Sequence, residues 1–134
     1  MVYAISIILL FLFVSSCSGK QDNLDCSHIK AGKFEYHGGF SNKNFSIERD
    51  DSIQIEKDEN TGFAMKFKIE WVAACEYKLT TMAFNINGKD SVIDRSQFPP
   101  LKTEILKVTG NYYICKSIME GGDIVHRDTM LILK

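Results

Sequence analysis

The chain has 134 residues, and its 16 basic and 17 acidic side chains all lie within the 118 residues that follow Ser16. That length supports one domain with one core and excludes a cofactor domain joined to a separate substrate domain. A net charge of −1 gives no basic surface to displace counterions from phosphate, so nucleic acid is not an expected partner.

Residues 1–16 read as a secretory signal peptide. Val2 to Ser16 is an apolar run that would span roughly 22 Å as a helix, short of the ~30 Å hydrocarbon core of a membrane. It ends in Val14-Ser15-Ser16-Cys17, which resembles the lipobox of bacterial lipoproteins, where small residues precede a cysteine whose thiol accepts a diacylglycerol. Cys17 is thus the expected lipidation site, and two or three acyl chains would anchor the protein stably to a membrane. Ser18 after the cysteine favours the outer membrane, by analogy with enterobacterial sorting. From there to residue 30 the chain is polar and reads as a tether, leaving 31–134 as a single β domain.

The body alternates with period two. Phe34 and Tyr36 share a face before His37-Gly38-Gly39 breaks the run. Phe45 and Ile47 follow, then the Asp50-Asp51 turn, then Ile53 and Ile55 alternating with Gln54 and Glu56. The clearest stretch is Phe63, Met65, Phe67, Ile69 and Trp71 against Lys66, Lys68 and Glu70, a strand with one wet face. Val72-Ala73-Ala74 makes a corner, and Cys75, Tyr77 and Leu79 restart the alternation. Met82, Phe84 and Ile86 lie on the other parity, which predicts a β-bulge near Thr80-Thr81. Asn87 to Pro100 is the longest break, with Val92–Arg95 readable as a short strand or one helical turn. Thr103–Val108, Tyr112–Met119 and Ile124–Leu133 complete the chain, joined by short glycine-containing connections. The expected fold is all-β: an antiparallel up-and-down meander of about eight strands forming a small lipocalin-like barrel or half-barrel. A two-sheet β-sandwich is the alternative.

With Cys17 acylated, Cys26, Cys75 and Cys115 remain, an odd number for an oxidising compartment. A bridge between Cys26 and Cys75 would clamp the tether end to the middle of the domain. Spacing alone does not fix the connectivity, and without a bridge both are buried thiols. Cys115 sits among apolar neighbours, where a thiol behaves as a small hydrophobe.

Catalytic patterns are not evident. There is no C-x-x-C, no H-x-x-x-H and no G-x-S-x-G, so no metal, cofactor or nucleophile is expected and the protein does not read as an enzyme. Alternation puts most of the carboxylates outward, Glu56 included. Arg49, Gln54 and Glu56 flank a tight turn, either as a surface ion pair or, if Arg49 tips into the barrel mouth, as a bidentate anion site.

The pattern Cys26, Lys30-Ala31-Gly32-Lys33-Phe34, Arg49, Gln54-x-Glu56 and Trp71-x-x-x-Cys75-x-Tyr77-x-Leu79 resembles small lipoproteins of Bacteroidetes, especially flavobacteria, over residues 17–80. The resemblance implies a Cys26–Cys75 bridge and an extracytoplasmic location, and it carries no activity. A topoisomerase label attached to some relatives does not fit a chain this short and not basic.

Two functions follow as expectations. The first is a non-catalytic binding module for a small apolar or amphipathic ligand, with Phe34, Tyr36, Arg49, Phe67, Trp71 and Tyr77 as the candidate lining. The second is an envelope interaction module with a filled core, an inhibitor or assembly accessory that uses an outer face or the Asn87–Pro100 loop. A cavity inside the barrel would favour the first. An exposed apolar patch at Phe98–Leu101 would favour the second.

Overall fold

The computed structural model describes residues 24–37 and 44–134. The signal segment and the lipidation site expected at Cys17 lie outside them. Nine strands form: β1 Gly32–His37, β2 Asn44–Arg49, β3 Ile53–Asp58, β4 Ala64–Ala73, β5 Glu76–Ile86, β6 Lys89–Ser91, β7 Leu101–Val108, β8 Tyr112–Met119 and β9 Val125–Leu133. All pair antiparallel, and β9 pairs back onto β1 while β4 pairs with β5. Eight strands therefore close into an up-and-down barrel of the small lipocalin-like kind, and β6 is a ninth strand hung on the outer end of β5. The expected barrel is what forms; the sandwich does not.

Closure removes the sheet edges that an open meander would leave unpaired. The face of each strand follows from its register, because directly opposed residues in an antiparallel pair point the same way. Phe34 faces Ile47, Ile69 faces Leu79, and Ile105 faces Cys115, so the alternating apolar sets converge inward. Three bulges tune the closure: Val72, Met82 and Leu106 each lack a partner across the strand pair. Met82 lies one residue past the position that the parity switch predicted.

The two ends of the barrel differ. At one end the connections are tight: Asp50 caps the β2–β3 turn by accepting the N–H groups of Ser52 and Ile53 at 2.8 Å, and Thr109 organises the β7–β8 turn. A 3-10 turn, Ser27–Ile29, plugs this end with Ile29 fully buried, and the disulfide Cys26–Cys75 ties the plug to the β4–β5 connection. Residues 24–30, grouped with the tether on sequence grounds, thus pack as part of the barrel end. The expected bridge is present, and Cys115 is the free, buried cysteine.

At the other end lie the longer connections, among them 59–63, 87–100 and 120–124. Asn87 and Gly88 take φ of 53° and 81°, the left-handed pair that a two-residue hairpin between β5 and β6 requires. The segment left open between strand and helix resolves into β6, then a 3-10 turn at Arg95–Gln97 capped by the Asp94 side chain. Phe98 packs edge-on against Phe84 at 5.1 Å and Phe98–Leu101 are half-buried, so the loop is pinned to β5 rather than presented as an apolar patch.

Candidate functional site

The largest departure from the sequence expectation is β3. Its register sets Gln54 opposite Arg49 and Glu56 opposite Ile47, so Gln54, Glu56 and Asp58 turn inward and Ile53 and Ile55 turn outward. Gln54 is 1% exposed and Ile55 39%. Glu56 is therefore not one of the solvated surface carboxylates. The cause is the Asp50-capped turn, which fixes the β2–β3 register with Arg49 already inside.

Arg49 is 5% exposed and occupies the plugged half. Its Nε donates to Gln54 Oε1 at 2.7 Å and Nη1 to the Ile29 carbonyl at 2.8 Å. Nη2 donates to the hydroxyls of Tyr113 at 3.0 Å and Tyr77 at 3.3 Å. The rings of Tyr77 and Phe34 lie 4.8 and 4.9 Å from the guanidinium carbon, with Trp71 and Tyr113 at 5.9 Å. Burial pushes the Tyr77 and Tyr113 hydroxyls above their ordinary value, so both stay neutral and accept from the cation. Four proposed lining residues, Phe34, Arg49, Trp71 and Tyr77, thus meet in one packed cluster beneath the plug, not at a mouth. Arg49 makes four hydrogen bonds to neutral acceptors from its five N–H groups and does not offer a free fork to a carboxylate.

Above this layer a polar line continues. Gln54 Nε2 donates to Glu56 Oε1 at 2.7 Å. Burial pushes the Glu56 carboxyl above its ordinary value and Asp128 adds to the rise, while the Gln54 bond and the Arg49 charge oppose it. Asp128 sits on β9 opposite Cys115 and also bonds the hydroxyl of Tyr36. Burial, reinforced by Asp128, pushes both the Tyr36 phenol and the Cys115 thiol up to about 12. Thr103 and Ser117 bond each other at 2.8 Å on the β7–β8 side. The thiol and the phenol therefore stay protonated at neutral pH.

Exposure divides the interior. Inward side chains of the plugged half, such as Phe34, Ile47, Tyr77, Leu79 and Tyr113, are buried. Toward the other end, Tyr36, Phe45, Met65 and Met130 also face inward and are partly exposed, with Phe67 at the boundary, whereas Asp58, Thr81, Cys115 and Ser117 on the same inward face are buried. Two clefts, of about 390 and 290 Å3, lie on the outer wall instead. Among the described residues no group of three or more His, Cys, Asp or Glu is placed to hold a metal ion.

Sequence reasoning missed Tyr113, Asp128 and the inward turn of Gln54 and Glu56. The Gln54-x-Glu56 spacing beside Arg49 was the available signal for the β3 residues; Tyr113 and Asp128 had none. Comparison of the chain with protein-family models, with curated proteins and with solved structures gave no match.

Proposed function

We propose that the domain is a non-catalytic carrier whose open half takes a small amphipathic molecule. Its apolar part would lie against Tyr36, Phe45, Met65 and Met130. One observation carries the reading: the inward side chains Phe34, Ile47, Tyr77, Leu79 and Tyr113 are buried at the plugged end, whereas Tyr36, Phe45, Met65 and Met130 toward the other end keep part of their surface exposed.

The reading includes attachment through a lipid on Cys17 at the outer membrane, supported by the lipobox and by the resemblance to flavobacterial lipoproteins. Leu24 packs at the plugged end, and the chain from Cys17 to Leu24 reaches at most ~24 Å. The plug would face the membrane and the open half would face away.

Titration calorimetry with decanol on the domain tests this. Saturable binding with a negative heat-capacity change is expected, abolished by Met65→Trp, which fills the cup, and kept in Val72→Glu on the outer cleft. Binding that ignores Met65→Trp, or no binding, would sink the proposal.

A further inference from the structure

The outer wall formed by β5, β7, β8 and β9 sets its charges like against like. Tyr77 and Thr103 are buried inside the barrel, so their neighbours Glu76, Lys78, Lys102 and Glu104 point outward. Register then places Glu76 directly opposite Glu104 and Lys78 directly opposite Lys102. Like charges opposed in this way repel across a strand pair. The two pairs are two residues apart along the strands, about 7 Å, so an acidic row runs beside a basic one.

Within the chain these rows are only partly neutralised. Lys78 reaches Glu120 at 3.5 Å and Glu104 reaches Lys116 at 2.6 Å, each pair with much of its surface in solvent. Exposed pairs of this kind hold little energy. Glu76 and Lys102 have no ion pair among the described residues. The same wall also exposes apolar surface. Val72 is 64% and Val125 56% exposed, and with the half-buried Ile118 they border the cleft of about 390 Å3.

A foreign surface of one sign would be repelled by one row or the other, whereas a second copy of the wall matches both. A two-fold axis running across the strands between the rows lays the basic row of each copy over the acidic row of the other. Lys78 then meets the partner's Glu76 and Lys102 meets the partner's Glu104, and each contact occurs twice, as an isologous interface requires. Farther along the rows, Ile118 comes over the partner's Lys116 and Val125 over the partner's Arg127, whose aliphatic stems can cover them. We propose that this wall is a docking surface for a second copy of the chain, joined face to face by these reciprocal ion pairs. It lies outside the open half and does not depend on the carrier reading.

Sedimentation equilibrium on residues 17–134 with Cys17→Ala tests this, because the closed barrel carries every residue of the face. The mass should rise with concentration from one chain toward two, and the dimer should weaken as salt is added. Lys78→Glu with Lys102→Glu makes both rows acidic, and Glu76→Lys with Glu104→Lys makes both basic. Each double variant alone should dimerise at least about tenfold more weakly than wild type, through like-charge repulsion. Mixed one to one, the two should recover a dimer of wild-type strength, which misfolded variants could not do. Lys33→Glu, on the far side of the barrel, should leave the dimer unchanged. A single monomeric mass at every concentration, a dimer that survives either double substitution, or a mixture that stays monomeric would overturn the proposal.

Discussion

Replacing Arg49 by Met removes every donor of the buried cluster while keeping an unbranched side chain of similar reach. The Tyr77 and Tyr113 hydroxyls can still bond each other, so their loss is partly recovered. The Ile29 carbonyl and Gln54 Oε1 lose their partners, 2.8 and 2.7 Å away, inside a dry layer. Each orphaned acceptor costs about 1–3 kcal/mol. Lost contact with the Phe34 and Tyr77 faces adds about 1 kcal/mol, and relief from burying the cation offsets a similar amount. The expected destabilisation is about 4 kcal/mol, a large part of the ~5–15 kcal/mol that holds a domain folded. In urea, with a slope of about 2 kcal/mol/M, the midpoint should fall by about 2 M without a change of slope. Lys33→Met is the control: its pair with Glu48 at 3.1 Å is exposed on both sides and should move stability by under about 0.5 kcal/mol. An Arg49→Met variant within about 1 kcal/mol of wild type would refute the reasoning, since desolvation of the cation would then equal everything the network returns.

Other consequences can be measured on the same protein. Removing the Cys26–Cys75 bridge, which closes a loop of 49 residues, should cost about 4 kcal/mol on the chain-entropy account, with the largest gain in hydrogen exchange at 24–30; unchanged exchange there would mean that Ile29 alone holds the plug. Glu56 has its folded pKa raised above the ordinary 4.5, so its contribution is fully present below that value and is lost as pH rises through the folded pKa. Glu56→Gln should therefore match wild type near pH 4 and exceed it in melting temperature at pH 7; a less stable variant at pH 7 contradicts a buried, disfavoured charge. Asp50 behaves oppositely: the Ser52 and Ile53 N–H groups lower its pKa, so its contribution is present above the ordinary 3.8 and is lost as pH falls, and Asp50→Asn should flatten the acid limb of the stability curve. Cys115, buried and pushed up to about 12, should resist iodoacetamide in the folded protein at pH 8 and react on unfolding. Rapid alkylation of the native state would place the thiol elsewhere.

What the sequence made legible was the repeating apolar face. Phe63 to Trp71 alternate over five positions with lysines between them, and no helical reading accommodates that. The tight turns and short connections then implied sequential pairing, and the bulge near Met82 followed from the parity switch across Thr80-Thr81. β3 was misread because Ile53/Ile55 and Gln54/Glu56 have the same period. The face was decided by Arg49 across the turn, a contact that alternation does not encode. β8 gave no face information for a different reason: Tyr112 and Ile114 outside are as apolar as Tyr113 and Cys115 inside, and polar Ser117 faces inward while Ile118 faces out. The candidate lining suffered accordingly. Its aromatic members were placed correctly inside, but the end at which Phe34, Trp71 and Tyr77 gather depends on where the chain enters the barrel. That is set by Ile29 and the disulfide.

The most direct test of the carrier account is native mass spectrometry of the domain, Cys17 replaced by Ala, purified gently from the envelope of its own host. The account predicts an excess mass that disappears on denaturation and fragments as a small amphiphile. A bare polypeptide mass would contradict it.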